Sequence, residues 1–164
     1  VFIATVADCV DAANPDPDVC AAVDPEVFRV DLEVSEMGNA MAVGFVRFEP
    51  GGPIVGRTIV RAEVRFRVGS KSGADSTQTG RLWQVEPFTR ADLFLTPLPA
   101  QVGQVVGGDL GAVTQNQVVT WPVPTTLISP GDPLCFGIFP VNNNGVDYLG
   151  IASASPPALF VEYQ

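Results

Sequence analysis

The chain contains no histidine. That absence removes Ser-His-Asp and Cys-His nucleophilic sites and histidine-bearing zinc sites at a stroke, because each needs an imidazole as base or ligand. Charge is also scarce: Asp, Glu, Lys and Arg make up 16% of the residues, against about 25% in an average globular chain. Positive charge is the scarcer kind, with nine Lys and Arg against eighteen Asp and Glu and a formal charge of -9. Such a surface repels phosphate backbones, which excludes nucleic acid as a partner. No apolar run approaches the roughly 20 residues of a membrane helix, so no membrane span is expected. Sustained helical periodicity and glycine-rich phosphate motifs are missing too.

What the chain does have is alternation. From Thr58 to Val68, Val60, Ala62, Val64, Phe66 and Val68 fall on one side of an extended strand and Arg61, Glu63, Arg65 and Arg67 on the other. This is the period-two pattern of a half-buried strand. Similar segments are Phe2 to Val6, Val27 to Val34, Met41 to Phe48, Arg81 to Glu86, Val102 to Val106, Asn116 to Trp121, Leu134 to Phe139, Asp147 to Ala152 and Ala158 to Tyr163. Met41 to Phe48 is apolar nearly throughout, which predicts a central strand. Sixteen glycines and fifteen prolines are scattered between these runs as turn residues,. The 164 residues therefore read as one domain, an all-β antiparallel two-sheet jelly-roll β-sandwich of about ten strands. Pro87 to Gly111 is the least legible stretch.

Cys9 and Cys20 bracket an acidic, proline-containing loop. A disulfide between them would stabilise by about 3 kcal/mol in the chain-entropy model and points to an oxidising, extracellular setting. Cys135, inside an apolar run, is expected to be a small core residue. The start at Val1, without a methionine or a signal pattern, is read as a mature chain after signal-peptide removal,. Between the two cysteines and just before them, Asp8, Asp11, Asn14, Asp16 and Asp18 gather the hard oxygen donors that calcium takes,. Their spacing is not that of an EF-hand, and turn capping is the alternative role for Asp beside Pro.

Two groups could meet a ligand or partner. Arg61, Arg65 and Arg67 form a row that could hold an anionic polysaccharide or an acidic patch on a second copy, or be neutralised by Glu63 and cross-strand acids. Trp83, Trp121 and Tyr148 could stack on sugar rings if they project from a sheet, or serve as core packing. Glu33, Glu63 and Glu162 fall on the polar phase of their strands, where solvation is the simpler role than glycoside hydrolysis.

Several segments together resemble the DNRLRE-type domains, which include carbohydrate-binding module family 96. Thr5-Val6-Ala7-Asp8, Val10-Asp11 and Asn14-Pro15-Asp16 look like the family's opening. Gly44-Phe45-Val46-Arg47-Phe48 is similar to its apolar strand ending in Arg-Phe. Ile59 to Phe66 and Pro157 to Tyr163 resemble its next and last strands. Asp18-Val19-Cys20 stands where the family has Asn-Tyr-Gly, and its central tryptophan elements are blurred in Pro87 to Pro99. The resemblance implies a β-sandwich used as a non-catalytic module on secreted enzymes and cell-surface proteins.

The low charge, with a mean hydropathy of +0.26, suggests that some outward-facing surface is buried against something else, copies of itself included, or that a dense two-sheet core leaves neutral Thr, Ser, Asn and Gln on the outside. The expectation is a non-catalytic extracellular structural or adhesive protein that self-associates into a filament or surface layer. The terminal strands Val1 to Val6 and Ala158 to Tyr163 offer edges for pairing. The alternative is a polysaccharide-binding module.

Overall fold

Alternation becomes eleven strands in the computed structural model, which describes residues 1–12, 26–35 and 38–164, without the side chains of 33–35 and 38–40. They are β1 (Phe2–Ile3), β2 (Val6–Asp11), β3 (Val27–Ser35), β4 (Gly38–Phe48), β5 (Ile59–Arg67), β6 (Arg81–Val85), β7 (Gln101–Gly107), β8 (Val118–Pro122), β9 (Leu134–Phe139), β10 (Val146–Leu149) and β11 (Ala158–Tyr163). Two antiparallel sheets result. The smaller runs β1-β11-β5-β8; the larger runs β10-β3-β4-β9-β6-β7, with β2 also paired to β4. If β1, β4, β5, β6, β7, β8, β9 and β11 are lettered B to I in chain order, the sheets read B-I-D-G and C-H-E-F. That is the strand order of a jelly roll, a sandwich of two Greek keys.

Strands β2, β3 and β10 are additions to that plan, and they gather around β4. Ala42 is opposite both Asp11 and Asp31, so β2 and β3 flank β4 there; Phe45 is opposite both Asp8 and Gly137, so β2 and β9 flank it further on. Both faces of β4 are also covered, which is why it carries apolar residues on both phases,. Val46 and Phe48 enter the inter-sheet core, whereas Val43 and Phe45 enter a second cluster with Val85 and Cys135. Phe88 and Leu93, from the segment between β6 and β7, close that second cluster. Arg90 ties the segment down, its Nε donating to Asp8 Oδ2 at 3.0 Å.

The main core centres on aromatic rings. Phe66 of β5 packs against Phe28 of β3, Trp121 of β8 and Tyr148 of β10, with centroids 6.4, 5.6 and 5.5 Å away. Each such pair adds about 0.5–1.5 kcal/mol beyond its area burial. The inward phase of β5 is as its sequence indicates for Ala62, Val64 and Phe66, and Val68 just beyond the strand continues it, all four buried. Val60 departs from it and is 51% exposed, next to the register shift at Glu162/Tyr163.

Two expectations need correction. Ala7 to Asp11, read as the start of a loop, continues as β2, because Cys9 and Val10 are buried against β4 while the acids mask the pattern. The terminal strands are not two open edges. Phe2 pairs with Leu159 and Ile3 with Ala158, so β11 lies between β1 and β5 along those residues.

Candidate functional site: the outer face of the smaller sheet

Because Ala62, Val64 and Phe66 point inward, the alternate residues of β5 must point out. The cross-strand register then sets Phe160 of β11 beside Glu63, Glu162 beside Arg61, and Thr120 of β8 beside Arg65. The arginine row is therefore on the outer face of the smaller sheet, and most of it is occupied. Glu63 sits between Arg61 and Arg65 and accepts from both: Arg61 Nη2 donates to Oε2 at 2.8 Å and Arg65 Nε to Oε1 at 2.7 Å. A second donor, Arg65 Nη2, reaches the same Oε1. Arg61 Nη1 also lies 3.8 Å from Glu162 Oε1. Arg67 Nη1 donates to the Asn116 carbonyl at 2.9 Å.

Glu63 is itself largely buried at 8% exposure, roofed by the guanidinium groups it holds. The Arg65 guanidinium carbon stands 3.8 Å from the ring centroid of Phe160, a cation–π contact of about 0.5–1 kcal/mol at an exposed site. Both arginines are well exposed, so their ion pairs each contribute about 0.2–1 kcal/mol. The result is a flat, pre-organised surface rather than a free cationic row.

One open groove of about 200 Å³ crosses this face, lined by Arg65, Arg67, Val118, Ser155, Pro156 and Phe160 among others. Ile3 and Val118 are half-exposed at its flanks. A planar guanidinium beside an aromatic ring is a pairing of the residue types enriched in contact surfaces.

The aromatic candidates do not join this face. Trp121 and Tyr148 are both in the core, at 1% and 0% exposure, so neither presents a ring to a ligand. Their polar atoms explain how they tolerate burial: Trp121 Nε1 donates to the Gly108 carbonyl at 2.8 Å, and Tyr148 Oη donates to the Thr79 carbonyl at 2.9 Å. Burial, with a smaller contribution from the Asp109 charge, pushes the Tyr148 phenol far above its ordinary range. Trp83 is half-buried on β6, in the other sheet.

The acidic loop is described only at its start. Asn14, Asp16, Asp18 and Cys20 lie outside the described residues. Asp8 is on β2 and is engaged: Oδ1 accepts from the Cys9 backbone N–H at 3.0 Å, and Oδ2 accepts from Arg90. Asp11, the next acid on β2, is half-buried. Among the described residues, no three of Cys, Asp and Glu converge as a metal cluster, and no helix is long and apolar enough to cross a membrane. Cys9 is fully buried, and Cys135 carries a free, buried thiol. Desolvation raises the Cys135 pKa, against the opposing backbone hydrogen bond from Phe88 and the charge of Arg47.

No family model and no curated protein matches this sequence.

Proposed function

We propose that the protein is a non-catalytic extracellular structural or adhesive module that acts by associating with copies of itself. One observation carries this reading: the outer face of the smaller sheet, where Arg65 stacks on Phe160 beside half-exposed Ile3 and Val118. An outward sheet face is ordinarily polar. Here aliphatic and aromatic groups share it with arginines already fixed by Glu63, so little side-chain entropy remains to be lost on contact. A Cys9–Cys20 disulfide and secretion belong to the same reading, as does calcium in the acidic loop.

A second reading rests on the groove itself. Arg65 and Arg67 beside Phe160 could receive a carboxylated sugar of an extracellular polysaccharide, the guanidinium groups meeting the carboxylate and the ring meeting the sugar face.

Light scattering and negative-stain imaging of the untreated protein, with and without a calcium chelator, separate these readings. Long polymers or sheets are expected, and their loss on chelation would place a metal in the assembly. A monodisperse 17.3 kDa species at all concentrations would overturn self-association and leave glycan binding as the reading to test.

A further inference from the structure

The chain between β6 and β7, residues 86–100, is built as a separate piece lying on the outer face of the larger sheet. Its two ends meet: Val85 is paired with Gln101, and the Glu86 N–H donates to the Ala100 carbonyl at 2.9 Å. That closed neck makes it an Ω-loop. Its own backbone bonds are local. Asp92 N–H donates to the Thr89 carbonyl, Leu93 N–H to that of Arg90 and Leu95 N–H to that of Asp92. Asp92 Oδ2 accepts from the Thr89 N–H and hydroxyl at 2.6 and 2.8 Å. None of these bonds reaches the sheet, so the turn keeps its shape whether or not it lies there.

What fastens the segment to the sheet is sparse. Phe88 and Leu93 are its buried residues; Phe94, Leu98 and Pro99 are half-buried and the rest of 86–100 is exposed. Phe88 stands edge-on to Phe45 of β4, with centroids 5.7 Å apart. Two arginines add polar ties. Arg47 Nη1 of β4 donates to the Phe88 carbonyl at 2.6 Å, and Arg90 of the segment meets Asp8 Oδ2 of β2 through Nε and Nη2, at 3.0 and 2.9 Å. The Arg90 side chain is 59% exposed, so this second tie is open to water and salt. Beneath the segment lies Cys135 of β9, buried in the second cluster with the Phe88 backbone against its thiol. Few buried contacts and an exposed backbone mark a unit that opens at less cost than global unfolding.

We infer that 86–100 is a hinged strap that lifts from the larger sheet as one piece, with its neck as the hinge, the Arg90–Asp8 pair as its latch, and the Cys135 thiol uncovered when it rises. The roles follow from placement. β4 and β9 lie between β2 and β6, so the strap leaves β6, crosses the sheet and is pinned at β2 on the far side. Phe88 covers Phe45 of β4 and Cys135 of β9 on the way. A tie at the end opposite the hinge is the one whose loss frees the whole span, and here that tie is a single, largely exposed ion pair. The neck keeps its bonds to β6 and β7 when the strap is up.

This inference does not rest on self-association. Its test is the rate at which excess maleimide modifies Cys135 in native buffer, followed by mass on the peptide that carries it, in the protein and in its Arg90→Ala variant. Arg90 is exposed, so the variant should fold and melt within about 3 °C of the parent. Expected is a parent rate at least ~10-fold below that of the urea-unfolded chain and nearly flat in urea up to the unfolding transition, because lifting a strap exposes little surface. The variant should react about 2- to 5-fold faster. Salt at about 1 M should bring the parent toward the variant and leave the variant's rate alone. Modification that climbs with urea as steeply as global unfolding, or none in native buffer, overturns the strap. A flat rate that neither Arg90→Ala nor salt changes overturns the latch.

Discussion

The indole of Trp121 occupies the space that a β-carbon on Gly107 would need: a side chain there would begin 2.2 Å from Trp121 Cδ1. The last residue of β7 is thus locked to the largest ring in the core, at the corner where the chain passes from the larger sheet toward β8. Gly107→Ala forces the indole to shift and should destabilise by about 1–3 kcal/mol. Trp121→Ala, which empties the site and removes the bond to Gly108, should cost about 3–5 kcal/mol. Urea titration of both variants checks the order; a neutral Gly107→Ala would show that the ring has room to move.

Glu63 should matter more than either arginine it holds. Removing Arg61 leaves the carboxylate with Arg65, whereas Glu63→Ala leaves two guanidinium groups side by side over a buried position. A loss of about 1–3 kcal/mol is expected for Glu63→Ala and under about 1 kcal/mol for Arg61→Ala. Thermal melts at low and high salt test this, since screening should shrink the Glu63 effect by easing the arginine repulsion.

The alkaline limb of stability should be set by Tyr148. Its phenol is raised when folded, so above the ordinary value of 10.0 the unfolded chain releases a proton that the native state keeps. The unfolded state then binds fewer protons, and stability falls as pH rises past about 10. Cys135 acts in the same direction from its ordinary value of 9.0. Denaturation midpoints between pH 8 and 11 should therefore decline in the parent and decline less in Tyr148→Phe. An identical slope in the variant would mean that the phenol does not control this limb.

The Cys9–Cys20 bridge is a prediction about mass and about stability together. Non-reducing peptide mapping should recover the two cysteines in one linked species with Cys135 as a free thiol, and reduction should cost about 3 kcal/mol. Recovery of three free thiols after extraction under non-reducing conditions would remove the bridge and the oxidising compartment inferred from it.

How much of this was legible in the sequence varies with the physics of each segment. β5, β9 and β11 were readable because each alternates or runs apolar between clear turn residues. β2 was not, since Asp8 and Asp11 look like loop chemistry while Asp8 is in fact neutralised by Arg90, eighty-two positions away. Period-two alternation assigns Trp121 and Tyr148 to a phase but does not say which phase faces the other sheet, so platform and core were equally compatible with it. The segment from Pro87 to Pro99 was opaque because it contributes Phe88 and Leu93 to the second cluster without repeating any period. Its need was nonetheless visible in β4, whose Val43 and Phe45 required a cover on the second face.

The pairing of β1 with β11 has a mechanical consequence. The two strands run antiparallel with Phe2 opposite Leu159, so the start of β1 and the end of β11 point the same way along the smaller sheet, with Gln164 still paired to Thr58 on the other side. Tension drawn through both ends would load this junction as a zipper, one hydrogen bond at a time, rather than in shear across the whole ladder. β1 should peel away at low force while β5 and β8 keep the smaller sheet intact, giving the tethered molecule a short, reversible extension before the sandwich yields. Single-molecule pulling from the two ends would show it as a small early step.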